Sequence, residues 1–123
     1  MCFRQAFPKN ELLFSLGWVD VRDVAKAHIV ALEKEEAGGE RILVASPSTP
    51  NQEFIEAAKR AAASLGVAGV QMGVQNYDPS NVTRVVRFSR AKRDRILGIE
   101  MTPVDDTVRD TIANFKERGW VSA

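Results

Sequence analysis

The stretch Trp18 to Ser46, WVDVRDVAKAHIVALEKEEAGGERILVAS, constrains the fold of this chain more than any other part of it. Its first residues alternate apolar and polar and are rich in β-branched side chains, which predicts a short strand over 18–22. Asp23 then stands where an N-cap belongs, its carboxylate free to accept from the first-turn amides. The helix expected from Val24 to about Glu36 is apolar on most sides, with Lys26, Glu33 and the Glu/Lys tail supplying its wet side. A helix with so narrow a polar face needs cover from other elements. Gly38 or Gly39 ends it in the left-handed conformation. Residues 41–45, RILVA, read as a buried strand. The alternation of strand and helix puts the chain in the α/β class.

The rest of the chain is punctuated in the same way. Residues 11–16, ELLFSL, read as a short apolar helix or strand ending at Gly17. Thr49 is expected to cap a helix with Pro50 at its first position and Gln52 completing a capping box. That helix runs to about Leu65 and stops at Gly66, with Phe54, Ala58, Ala61 and Leu65 in one stripe and Glu56–Arg60 paired outside. Residues 67–74 read as a strand, 75–81 as a loop and 83–88 as an edge strand. Ser89 caps a short helix over 90–97, closed by Gly98. Thr102 caps the last helix, 103–118, which carries Val104, Val108, Ile112 and Phe115 on one face and ends at Gly119. Its Asp105 and Asp106 at the start and Lys116 and Arg118 at the end suit the helix dipole. The expected architecture is four main helices with a small sheet of two to four short strands, in the order β-α-β-α-(β)-α-α.

Several function classes are excluded by composition. A length of 123 residues reads as one domain, and a formal charge of +1 gives no basic footprint for nucleic acid. No apolar run is long enough to span a membrane. The first residues, MCFRQAFPKNE, lack the apolar region of a secretory signal. The single Cys2 excludes an internal disulfide and fits a reducing, cytoplasmic setting. The sequon at 81–83 is then a chance match. One histidine, His28, leaves no metal site, and it is expected as a packed side chain beside Val24, Ala31 and Leu32. The lone tyrosine, Tyr77, has Asn81 rather than lysine four residues on, so no tyrosine–lysine acid/base pair exists at helical spacing. Asp20 and Asp23 read as structural acids rather than a catalytic pair. The basic run Arg84, Arg87, Arg90, Lys92, Arg93, Arg95 reads first as a solvated helix face, with an anion or substrate site near Arg84 and Arg87 as the alternative.

From Val19 to Ala45 the pattern VDVRDVAKAHI, then an alanine-rich turn and GERILVA, resembles the extended short-chain dehydrogenase/reductase family. The likeness is to its NAD-dependent epimerase/dehydratase type, and within that to the aldehyde- and dihydroflavonol-reductase-like branch. STPNQEFIEAAKRA is similar to the next capped helix of that family, and the segment from Phe88 to Phe115 to its closing region. The resemblance implies that residues 18–123 form the carboxy-terminal, substrate-domain-like part of a Rossmann-type reductase, and that residues 1–17 are atypical. In the intact family NAD(P) delivers hydride to a ketone or aldehyde. The glycine-rich cofactor loop and the Tyr-x-x-x-Lys pair have no matching positions here, so the expectation is a truncated chain that binds no cofactor and is redox-inactive alone. Sugar-nucleotide members place a diphosphate-contacting arginine roughly where Arg84 or Arg87 stands. The alternatives are a stand-alone module binding a small apolar ligand or a protein partner, and a cofactor-free isomerase or cyclase. The first and last helices, left without a Rossmann core, imply self-association as a two-fold dimer.

Overall fold

The computed structural model describes residues 8–82, 84 and 86–122. The elements are α1 (Lys9–Leu12), β1 (Ser15–Leu16), α2 (Val21–Glu33), β2 (Thr49–Pro50), α3 (Asn51–Leu65), α4 (Ala91–Ile96) and α5 (Val104–Glu117). Single 3-10 turns lie at Glu35–Ala37 and Pro79–Asn81. The described residues gather into two compact units. Gly17–Ser48 and Val86–Thr102 form one, built on α2 and α4. The remaining described residues form the other, built on α1, β1, β2, α3 and α5.

In the unit of α3 and α5 these two helices pack through Ala58, Ala61 and Ile112, with Leu65, Val67, Val70 and Val108 around them. The alanines at 57, 58, 61 and 62 are all buried, and their small side chains let the second helix approach closely. Arg60 pairs with Asp105 of α5 at 2.5 Å rather than with Glu56, which takes Lys59 instead. Gly66, at φ +63°, ends α3, and its amide donates to the Ala62 carbonyl. Lys116 donates to the Leu65 carbonyl, placing a cation at the negative end of α3.

The two expected caps in this region are not caps. The N-cap of α3 is Pro50, with no side-chain hydrogen bond. Thr49 is held in the antiparallel ladder with β1, in which Ser15 faces Pro50 and Leu16 faces Thr49. Thr49 is thereby one residue too far back to reach the first-turn amides. The N-cap of α5 is Pro103, again without a side-chain bond. The strand expected over 67–74 is not assigned; Gly69 and Gly73 have φ of +83° and +71°, which breaks an extended run. Of the edge strand expected over 83–88, residues 83 and 85 lie outside the described residues, and no strand is assigned to the others.

In the unit of α2 and α4 the helix starts earlier than the pattern suggests. Asp20, at φ −71° and ψ 138°, is the N-cap and accepts from the Arg22 amide at 2.8 Å. The expected strand over 18–22 and the expected cap at Asp23 are therefore replaced by a lead-in, a capping Asp20 and a helix that already includes Val21. Five alternating residues are too few to hold a strand that has no ladder among the described residues. The expected strand over 41–45 has no ladder among the described residues either. Ile42 and Val44 pack with Ala27, Ile96, Leu97 and Ile99, while Leu43 points outward, so the side-chain alternation of a strand is present without its hydrogen bonds. Ser89 does not cap α4: Arg90 occupies the N-cap position, which puts the Ser89 hydroxyl one residue outside it. Gly98 closes α4, its amide donating to the Arg93 carbonyl at 3.2 Å.

Candidate functional site

The densest polar arrangement in the α3 unit joins the start of α3 to residues 73–77 and Arg84. Gln52 is fully buried. Its Oε1 accepts from the Val74 amide at 2.8 Å, and its Nε2 donates to Glu56 Oε1 at 2.6 Å. The side chain expected to complete a capping box thus pins a loop instead. Gly73 makes this possible: a Cβ there would lie 2.5 Å from Gln52 Nε2. One residue along α3, Glu53 Oε1 accepts from the Tyr77 hydroxyl at 3.2 Å, and Arg84 Nη2 lies 3.9 Å from the same oxygen. Burial, then the charge of Glu53, pushes the Tyr77 phenol up to about 12. The phenol is therefore a held donor at neutral pH, the opposite of a tyrosine acidified for proton transfer. Arg84, a candidate anion contact, has a carboxylate as its neighbour, which offsets part of its charge. Asn10, Glu11, Phe14 and Asn51 line a depression of about 230 Å³ in the same unit.

The second polar arrangement belongs to the α2 unit. Asp23 is buried, and both its oxygens are taken by Thr102, from the amide at 2.8 Å and the hydroxyl at 2.7 Å. This tie explains why neither residue caps its helix. Arg93 is also buried. Its Nη1 donates to the Ala45 carbonyl at 2.9 Å, and its Nε and Nη2 grip Asp94. Reading the basic run as a solvated face missed this residue. Its spacing of three and four from Ile96 and Leu97 was the signal that it shares their inward side. Lys92 holds Glu40 at 2.6 Å and keeps its carboxyl below the ordinary range. Arg87 is exposed and falls in this unit, whereas Arg84 falls in the other. His28 is exposed rather than packed, because its Nδ1 turns back to the Val24 carbonyl at 2.8 Å. A carbonyl only accepts, so Nδ1 carries the proton.

The starts of α2, α3 and α5 do not suit the pyrophosphate of a dinucleotide. A pyrophosphate needs a helix N-terminus with free amides and no competing anion. Here α2 begins on the Asp20 carboxylate, α3 carries Glu53 in its first turn and α5 carries Asp105 and Asp106. Among the described residues no group of three or more His, Cys, Asp or Glu could hold a metal ion, and no helix is long and apolar enough to cross a membrane.

No family model matches the chain. A cinnamoyl-CoA reductase of Medicago truncatula is 31% identical over 118 residues, covering 96% of this chain and 33% of that protein. The NADPH-dependent methylglyoxal reductase of Saccharomyces cerevisiae is 28% identical over 99 residues, covering 80% of this chain and 29% of that protein. The crystal structure of the yeast methylglyoxal/isovaleraldehyde reductase complexed with NADPH matches with a TM-score of 0.71 and 27% identity, over 84% of this chain and 34% of that one. The chain thus spans about a third of the length of the curated relatives it matches. Its five helices and two-stranded sheet, among the described residues, correspond to part of a Rossmann-type reductase fold. This sequence and structural likeness indicates a reductase family of the short-chain dehydrogenase/reductase, NAD-dependent epimerase/dehydratase-like type, of whose members the chain matches part of the length.

Proposed function

We infer that this chain is the substrate-side, carboxy-terminal portion of a carbonyl reductase, and that it does no redox chemistry by itself. The observation that carries this is the extent of the match: nearly the whole chain aligns with about a third of a reductase. Its own polar groups support the same reading. Asp20 caps a helix, Asp23 is consumed by Thr102, and Tyr77 is held protonated. Such groups position backbone; none is a poised acid or base. The pinned loop of residues 73–78 is the wall this portion would present to a ketone or aldehyde, with Gln52 and Glu53 fixing it to α3. Arg84, beside Glu53 in the α3 unit, is the residue this reading assigns to an anionic group on a substrate. The test is an NADPH titration followed by tryptophan fluorescence. The expected result is no saturable energy transfer from Trp18 or Trp120 to the nicotinamide. Saturable transfer, or NADPH-dependent reduction of methylglyoxal by the chain alone, would overturn the reading.

A further inference from the structure

The helix α2 buries Asp23 and Ala27 and leaves its opposite side bare. Val21 is 79% exposed, Ile29 58% and Leu32 89%. At 3.6 residues per turn, Val21, Ala25, Ile29 and Leu32 fall in one stripe about 80° wide. The spacing of four, four and three is that of a helix–helix seam rather than of scattered surface residues. Bare apolar surface on this scale, a few hundred Å², is what marks a contact site on a small protein.

The charges beside the stripe say what fits it. Lys26 and Glu33 lie on the same flank, within about 20° of each other around the helix. Both are exposed. Arg22, at the start of the helix, is taken by Asp20, so the flank's own cation is Lys26, while toward the C-terminus it is acidic with Glu33. A surface that is basic at one end and acidic at the other is complementary to itself when turned end for end. We propose that α2 pairs with α2 of a second copy of this chain, antiparallel about a two-fold axis beside Ile29. In a two-fold antiparallel pair the same flanks face each other. Ile29 then meets Ile29 of the second copy, Leu32 enters the space over the small Ala25, and Lys26 meets Glu33 twice. The helix dipoles also oppose each other favourably. A parallel pair is disfavoured, because it would set the Lys26 and Glu33 flank against the opposite flank of the second copy, that of Val24 and His28, where no carboxylate answers Lys26.

One helix face per copy buries less than the roughly 1,200 Å² of a standard interface, so the dimer is a weak one, dissociating in the micromolar range. It is independent of the reductase reading, which concerns the cofactor and the loop on α3. Sedimentation velocity on the full chain, from low to high micromolar concentration, tests it. The wild type should shift from monomer to dimer across that range. Leu32→Glu, at a side chain that packs against nothing in the monomer, should leave the far-ultraviolet spectrum and melting point unchanged and abolish the shift. Lys26→Glu should weaken the dimer about tenfold, and adding Glu33→Lys should restore it. A wild type that is monomeric at every concentration overturns the proposal and leaves the face to the part of the relatives' fold outside this chain. A dimer indifferent to Leu32→Glu, or one the double reversal fails to restore, overturns it as well.

Discussion

The two buried acids of the α2 unit differ in what they hold. Asp20 accepts from the Arg22 amide and from the half-exposed Arg22 guanidinium, so Asp20→Ala is expected to cost about 1 kcal/mol, as loss of an N-cap does. Asp23 is as deeply buried and is linked to Thr102, 79 residues away in sequence. Removing it strands a half-buried amide and hydroxyl, so Asp23→Ala is expected to cost about 2–3 kcal/mol in urea unfolding. Thr102→Val keeps the shape and loses only the hydroxyl, and should cost less than Asp23→Ala. Equal losses for Asp20→Ala and Asp23→Ala would contradict this division. Tyr77 gives a pH test. It is the only tyrosine, so absorbance at the phenolate band reads one group. The band is expected to grow in near pH 12 rather than at the ordinary value of 10. Because the folded value is raised, the stability this contact contributes is fully present below pH 10 and lost as pH rises toward 12. Glu53→Gln should bring the midpoint partway back, since burial, the larger cause, remains.

Among the elements, α3 and α5 show which contacts matter. Their interface is made of alanines against Ile112, with one exposed ion pair beside it. Ala61→Leu forces extra volume into that interface and is expected to destabilise by about 1–3 kcal/mol. Arg60→Ala removes the ion pair and should cost less than about 1 kcal/mol, because both partners are in water. Thermal melts of the two variants check the order, and a larger loss for Arg60→Ala would reverse the account of this interface. The stripe on α5 and the extent of α3 were legible in sequence because period and glycine stops are local signals. The α2 helix was legible in kind but misplaced by three residues at its start. Two aspartates compete there for one capping role, and the loser is chosen by Thr102, not by anything nearby in sequence.

For the whole molecule, the exposed α2 face and its ionic flank together set how association should respond to solution conditions. Exposed pairs are screened by salt and apolar contacts are not. Raising ionic strength is therefore expected to weaken the dimer by only a few-fold, whereas Leu32→Glu removes it; complete dissociation by moderate salt would mean that charge rather than the stripe holds the copies together. The sequence by itself determined the helices, their glycine stops, the likeness to a reductase family and the absence of a tyrosine–lysine pair. These rest on local periodicity, on punctuation or on residue identity. Only the tertiary structure decided that Asp20 caps and Asp23 does not, that Arg93 lies buried on the Ala45 carbonyl, that residues 41–45 alternate without a ladder, and that Gln52 pins residue 74. Each of those depends on a partner distant in sequence, and a hydrogen bond is assigned by whichever group the folded chain brings within reach.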